Sequence, residues 1–294
     1  MSRELSSSRF LDATPENVFK AIENPEILAL WWGPEGFSND FHEFAFLEGA
    51  DWKFAMIGPD GTSYPNHCVF EKISPERIVI RHLGSVHAFT LVIGIKPENE
   101  GTRITWNMTF DSAEECKKAM AYAPACNEQL FDRLAIELTV MAPSERDLVL
   151  RRIIDAPAEK VFQAWTDPEM IVKWFTPPPY KTTSADLDPR PGGRFFVMMQ
   201  GPKGEELPNP GVYLEVVKNK RIVSSDAYTA AWKPSAKPFS TLDLNFEDLG
   251  GKTKYTAIVR HWTVADKKAH EDMGFHTGWG IAASQLENLI KTQL

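Results

Sequence analysis

Cysteine is scarce, with three residues (Cys68, Cys116 and Cys126) in a chain of 294. Their spacing fits no metal-binding pattern, so reduced, buried thiols in a cytoplasmic protein are expected. Long apolar runs are missing too. No stretch approaches the ~20 residues a membrane-spanning helix needs, and the opening Met1-Ser2-Arg3-Glu4-Leu5-Ser6-Ser7-Ser8 has no apolar signal region. Positive charge is in deficit: 32 Lys and Arg stand against 40 Asp and Glu, and the basic residues are scattered, which argues against a nucleic-acid surface. The histidines form no metal-ligand set. His42, His67, His82 and His87 stand apart, while His270 and His276 are six apart, on different helix faces, and are expected at a surface or helix entry. No metal and no cofactor is therefore expected.

What the chain does have is a repeat. Leu11-Asp12-Ala13-Thr14-Pro15-Glu16-Asn17-Val18-Phe19 returns 143 positions later as Ile154-Asp155-Ala156-Pro157-Ala158-Glu159-Lys160-Val161-Phe162. At the same offset Asn24-Pro25-Glu26 becomes Asp167-Pro168-Glu169, and Trp31-Trp32-Gly33-Pro34 becomes Trp174-Phe175-Thr176-Pro177. A period this long is a whole domain, so the chain reads as a tandem duplication, residues 1–142 and 146–294, each large enough for its own core. The short link between them suggests a pseudo-dimer within one chain, which favours a monomer.

Each copy opens with a strand, then a helix whose start is marked by Thr14-Pro15 or Asp155-Ala156-Pro157, where Thr or Asp can cap free N–H groups. Asn24-Pro25 and Asp167-Pro168 break the chain and start a second short helix. Six strands follow. Asp51-Trp52-Lys53-Phe54-Ala55-Met56 alternates with period two, and Pro59-Asp60-Gly61 and Pro202-Lys203-Gly204 are hairpin turns. Further strands are expected at 68–73, 77–82, 88–96 and 102–110. A long helix, 112–140 or 267–292, closes each half, with Leu130, Leu134 and Leu138, or Leu286, Leu289 and Ile290, as its buried stripe. The expected class is α+β: a curved antiparallel sheet gripping one long helix, twice over.

These motifs, with Gly49-Ala50 and Gly192-Gly193, and Glu71-Lys72-Ile73 leading to Arg77-Ile78 matched by Glu215-Val216-Val217 leading to Arg221-Ile222, resemble the domain named after the C-terminal domain of the Hsp90 ATPase activator. That domain belongs to the START/Bet v 1-like superfamily, so the resemblance implies a helix-grip fold in each half. Its relatives include co-chaperone domains, lipid and polyketide binders and cyclases, so the fold by itself selects no function.

The two copies disagree on the inner face. Between 88 and 110 they align at an offset of 151: Phe89 becomes Ser240, Trp106 becomes Ala257 and Phe110 becomes His261. Around 77–82 the offset is 144: Ile80 becomes Ser224 and His82 becomes Asp226. Trp52 is matched by Phe195. Losing Trp106 without replacement would cost a packed core about 3–5 kcal/mol. The second half is accordingly expected to enclose the roomier, more polar cavity. Its lining would be Trp174, Phe175, Phe195, Val197, Met199, Ser224, Asp226, Ser240, Ala257, His261, Met273 and Trp279. In the alternative, Met273, Phe275 and Trp279 fill that space.

Asp226 and His261 are the only catalytic candidates: such a pair could orient an imidazole as a base, with Ser as nucleophile or hydrogen-bond donor. No elbow or oxyanion signature accompanies them. The insertion at 227–239, carrying Tyr228, Trp232, Pro234 and Pro238, is a candidate lid. The reading is a binding protein for a small apolar or amphipathic molecule rather than an enzyme. The resemblance offers a rival, an adaptor that docks on an Hsp90-type chaperone and stimulates its ATPase. A cyclase- or hydrolase-type enzyme using Asp226 and His261 is the third possibility.

Overall fold

The computed structural model describes residues 2–84 and 88–293, so His87 lies outside the described residues. The chain forms two compact units, Met1–Ala142 and Pro143–Leu294. The first comprises β1 (Glu4–Leu11), α1 (Pro15–Glu23), α2 (Pro25–Trp31), β2 (Ser38–Phe44), β3 (Asp51–Ile57), β4 (Ser63–Ser74), β5 (Arg77–His82), β6 (Phe89–Glu98), β7 (Gly101–Phe110), α3 (Ala113–Ala119) and α4 (Ala123–Met141). The second repeats the order: β8 (Asp147–Ile154), α5 (Ala158–Thr166), α6 (Pro168–Ile171), β9 (Lys181–Leu187), β10 (Arg194–Gln200), β11 (Glu206–Val217) and β12 (Arg221–Ser225). It then adds the short β13 (Tyr228–Thr229) and β14 (Lys233–Pro234) before β15 (Ser240–Asp248), β16 (Thr253–His261), α7 (Val264–Asp272) and α8 (Phe275–Gln293). Both main sheets have seven antiparallel strands, ordered β1-β7-β6-β5-β4-β3-β2 and β8-β16-β15-β12-β11-β10-β9. This is the expected α+β pair of helix-grip domains.

Local chemistry explains the matching starts. The Thr14 hydroxyl caps α1 by accepting from Asn17 N. Asn24 and Asp167 each cap the following helix with a side-chain oxygen that accepts from two backbone N–H groups. Asp155 does not cap α5; Pro157 takes the N-cap position, and the Asp155 carboxylate pairs with Lys291 at 3.0 Å. The indole N–H of Trp31 donates to the Ala21 carbonyl at 3.0 Å, and that of Trp174 to Ala164 at the same distance. Trp31 so pins α2 against α1, and Trp174 pins the segment just after α6 against α5. Bulges at matching points, between Phe70 and Lys72 and between Tyr213 and Glu215, bend the two sheets around their helices.

The closing helix differs from the sequence expectation in both copies. Instead of one helix over 112–140 or 267–292 there are two, broken at Met120–Tyr122 and at Met273–Gly274. Gly274 turns the chain at φ +89°, a conformation with no steric cost only for glycine. In the first copy Pro124 sits in the first turn of α4, where its missing N–H leaves no bond unmade. The break sends Met273 outward: it is 72% exposed and lines no inner surface, contrary to expectation.

Candidate functional site

Residues directly opposite one another in an antiparallel sheet share a face, so the register defines the inner surface of the second domain. One row runs Tyr213, Ser224, Leu242, Val259, Leu148. The next runs Ile222, Leu244, Ala257, Leu150. Phe246, Tyr255 and Arg152 form a third, and Ser240 lies opposite His261. Ala257 is 0% and His261 4% exposed, so both point away from bulk solvent. Phe195, Val197 and Met199 take alternate positions on β10; Val197 is fully buried, and Phe195, Met199, Phe175 and Trp279 pack against the core that contains Trp174.

The closing helices align at an offset of 152. Arg133 of α4 donates to Gly33 O at 3.0 Å, and Gln285 of α8 to Thr176 O at 3.1 Å, which fixes this match. It places Phe131 against Ala283. In the first domain Trp106 meets Phe131 edge to face, 6.0 Å between centroids, inside one continuous buried core. In the second domain both partners are alanine, and the fully buried residues form two clusters joined through the partly buried Leu150, Leu242 and Trp279. One gathers around Trp165, Trp174, Phe246 and Tyr255; the other comprises Leu148, Val259 and Phe275. Phe275 and Trp279 return bulk at one end of the sheet, 5.2 Å apart at ring centroids, as the filled-space alternative expects; Met273, which it also names, points outward.

Polar groups on this face have grown in number. Tyr213 stands where the first copy has Phe70, and its hydroxyl is buried with no hydrogen-bond partner among the described residues. Burial raises its pKa. The buried Ser224 beside it replaces Ile80. A buried hydroxyl left unpaired costs free energy, so this pair marks a place where a further polar group would be accommodated.

Asp226 and His261 do not form the expected pair. Asp226 Oδ1 accepts from Phe239 N at 2.8 Å and Ser240 N at 3.1 Å, so it ties down the end of the insertion. Desolvation raises its pKa despite these bonds. The insertion itself is the β13–β14 hairpin, with Ala231 and Trp232 at positive φ and the Trp232 ring over Gly192.

His261 instead donates Nδ1–H to the Arg146 carbonyl at 2.9 Å, and its Nε2 lies 2.9 Å from His270 Nδ1. A single hydrogen bridges the two rings. His270, expected at a surface or helix entry, lies in the last turn of α7, half-buried among Phe239, Phe275 and Trp279, and burial together with His261 lowers its pKa from 6.5 to about 4. His276 is exposed. The unfolded chain takes up this proton near pH 6.5 but the folded chain only near 4, so stability falls as pH drops through that window. Asp226, whose pKa is raised, acts in the opposite direction. The His270→Phe variant is therefore expected to show a flatter urea midpoint between pH 7.5 and 4.5 than the parent. An unchanged slope would mean that His270 titrates normally.

Among the described residues no group of three or more potential ligands is placed to hold a metal ion, and no helix is long and apolar enough to cross a membrane. Cys68, Cys116 and Cys126 are free thiols; the first two are buried.

Comparison with known proteins bears on the fold. The family model described as Activator of Hsp90 ATPase homolog 1-like protein matches residues 12–139 and again 155–291. A crystal structure of a Nitrosomonas europaea protein is 38% identical over 51% of this chain and 97% of its own, with a TM-score of 0.50. A solution structure from Staphylococcus epidermidis is 31% identical over 51% of this chain and 92% of its own, with a TM-score of 0.44. The di-domain ARO/CYC BexL from the BE-7585A biosynthetic pathway spans 99% of this chain and 100% of its own, at 14% identity and a TM-score of 0.39. A search of curated proteins returned no match. The chain therefore belongs to the Activator of Hsp90 ATPase homolog 1-like family and carries that domain twice.

Proposed function

We propose that the second domain binds a small, partly apolar molecule on its inner face, and that the first domain is a packed copy serving structure. The observation that carries this reading is the loss of a facing aromatic pair. Trp106 and Phe131 close the first core, whereas buried Ala257 and Ala283 stand in their places in the second. Tyr213, Ser224, Ser240 and His261 border the same face, and a few polar groups in an apolar site are what small-molecule recognition requires. Free thiols fit a reducing compartment such as the cytoplasm. The ring nitrogens of His261 are engaged by Arg146 and His270 and the Asp226 carboxylate by Phe239 and Ser240, so the pair that the enzyme alternative needs is not formed.

The test refills the space. The neutral fluorophore phenylnaphthylamine is expected to bind the whole chain, and the double variant A257W/A283F to lose that binding by about tenfold or more while unfolding no earlier than the parent. A loss of about 1–3 kcal/mol in stability, the usual result of overfilling a packed core, with binding unchanged would overturn the reading. The family's name raises the chaperone alternative; stimulation of an Hsp90-type ATPase equally by parent and A257W/A283F would favour it.

A further inference from the structure

Arg9 and Arg152 hold the same place in the two domains. They lie 143 positions apart, on β1 and β8, opposite Ile104 and Tyr255 of the adjacent strand. Each reaches across to the closing helix of its own domain. In the first domain Arg9 is neutralised: it pairs with Glu128, and with Asp132 at 2.9 Å. Its guanidinium carbon lies 5.9 Å from the centre of the Phe131 ring.

At the three matching positions of α8 the second domain has Gly280, Ser284 and Ala283. Both carboxylates and the ring have gone, yet the arginine remains. Arg152 Nη1 donates to the Gly280 carbonyl at 2.7 Å and to the Ser284 hydroxyl at 3.0 Å, and among the described residues no carboxylate pairs with it. A Cβ on Gly280 would meet nothing within 4 Å, so the side of the helix from which the first domain projects Glu128 is open. In the first domain the Phe131 ring lies beside the Arg9 guanidinium; at that helix position the second domain has Ala283, next to Ser284.

We infer that Arg152 is the anion anchor of the second domain, and that the ligand is an apolar small molecule carrying one oxyanion such as a carboxylate or phosphate. This rests on the ligand-binding reading above and specifies its substrate class. A half-buried cation with only neutral partners keeps most of its capacity to pair. The planar guanidinium fork matches an oxyanion in two hydrogen bonds, which a lysine could not reproduce. Ser284 adds a hydroxyl on the same side, and the alanine-lined space beside it accepts the apolar body.

Two probes with one aromatic body separate the anchor from the pocket: anilinonaphthalenesulfonate, which carries a sulfonate, and neutral phenylnaphthylamine. With the full chain, Arg152→Gln is expected to weaken the sulfonate probe by about tenfold or more and to leave the neutral probe within about twofold. Ser284→Asp restores the carboxylate that faces Arg9 in the first domain. It is expected to act the same way with the arginine still present, so it carries the test should Arg152→Gln fail to fold. If both variants leave the sulfonate probe unchanged while both probes still bind, the anchor is overturned and the pocket stands. If neither probe binds the parent chain, or if A257W/A283F changes neither affinity, the pocket reading falls and the anchor with it.

Discussion

Trp106→Ala is expected to lower the free energy of unfolding of the first domain by about 3–5 kcal/mol. The indole lies within 5.2 Å of the Trp32 ring and 6.0 Å of Phe131, at ring centroids, and is 3% exposed. Removing it strips both neighbours of contacts and leaves a hole that the sheet and α4 can close only in part, since both are held by their own hydrogen bonds. Hydrogen exchange in β6 and β7, followed by mass spectrometry on the whole chain, reads this loss without assuming that both domains unfold together. The second domain carries alanine at the equivalent site as its natural state. A loss below ~1 kcal/mol for Trp106→Ala would mean that this position is soft in both copies, and the contrast on which the ligand site depends would vanish.

The second large effect concerns Arg133. Its side chain is buried on α4 and donates to five backbone carbonyls: Leu30 at 2.8 Å, Phe37 at 2.9 Å, Gly33 at 3.0 Å, Pro34 at 3.1 Å and Trp32 at 3.4 Å. These oxygens belong to the end of α2 and the turn after it, where helix carbonyls lack intrahelical donors and the dipole favours a cation. Arg133→Met is expected to cost at least ~3 kcal/mol, because bonds to a charged donor are each worth about 1.5–3 kcal/mol and five carbonyls would lose their shared donor at once. Gln285 does the same work more weakly, donating to Trp174 O at 2.7 Å and Thr176 O at 3.1 Å. Gln285→Met should therefore cost only about 1–2 kcal/mol. Equal losses for the two variants, measured by exchange in α2 and α6 respectively, would show that the charge adds nothing.

The inner face was legible because a strand alternates with period two, so comparing the copies exposed Trp106→Ala257 and Phe110→His261 by parity alone. The facing helix was not read the same way. Its offset is 152 where that of the first strands is 143, since the 227–239 insertion and smaller changes intervene. The replacements of Phe131 by Ala283 and of Glu128 and Asp132 by Gly280 and Ser284 become meaningful only once the helix is laid on its sheet. Tyr213 was open to the same comparison, as a hydroxyl gained over Phe70 at a buried position. Met273 was misplaced for a local reason, a helix carried through Gly274, which turns the chain outward.

By itself the sequence determined the duplication, the order of the main strands and opening helices in each half, and which side of the central strands faces inward, because these depend on chain periodicity and on near-neighbour caps and turns. Tertiary structure alone decided that His261 meets His270 and the Arg146 carbonyl instead of Asp226, that Asp226 anchors the insertion, and that Arg152 faces α8 with its counter-charges gone. Those arrangements join side chains from different elements, and Arg146 and Arg152 reach theirs from the opposite end of the domain. They depend on how a curved sheet closes on its helix, and the spacing along one strand or helix carries no record of that closure.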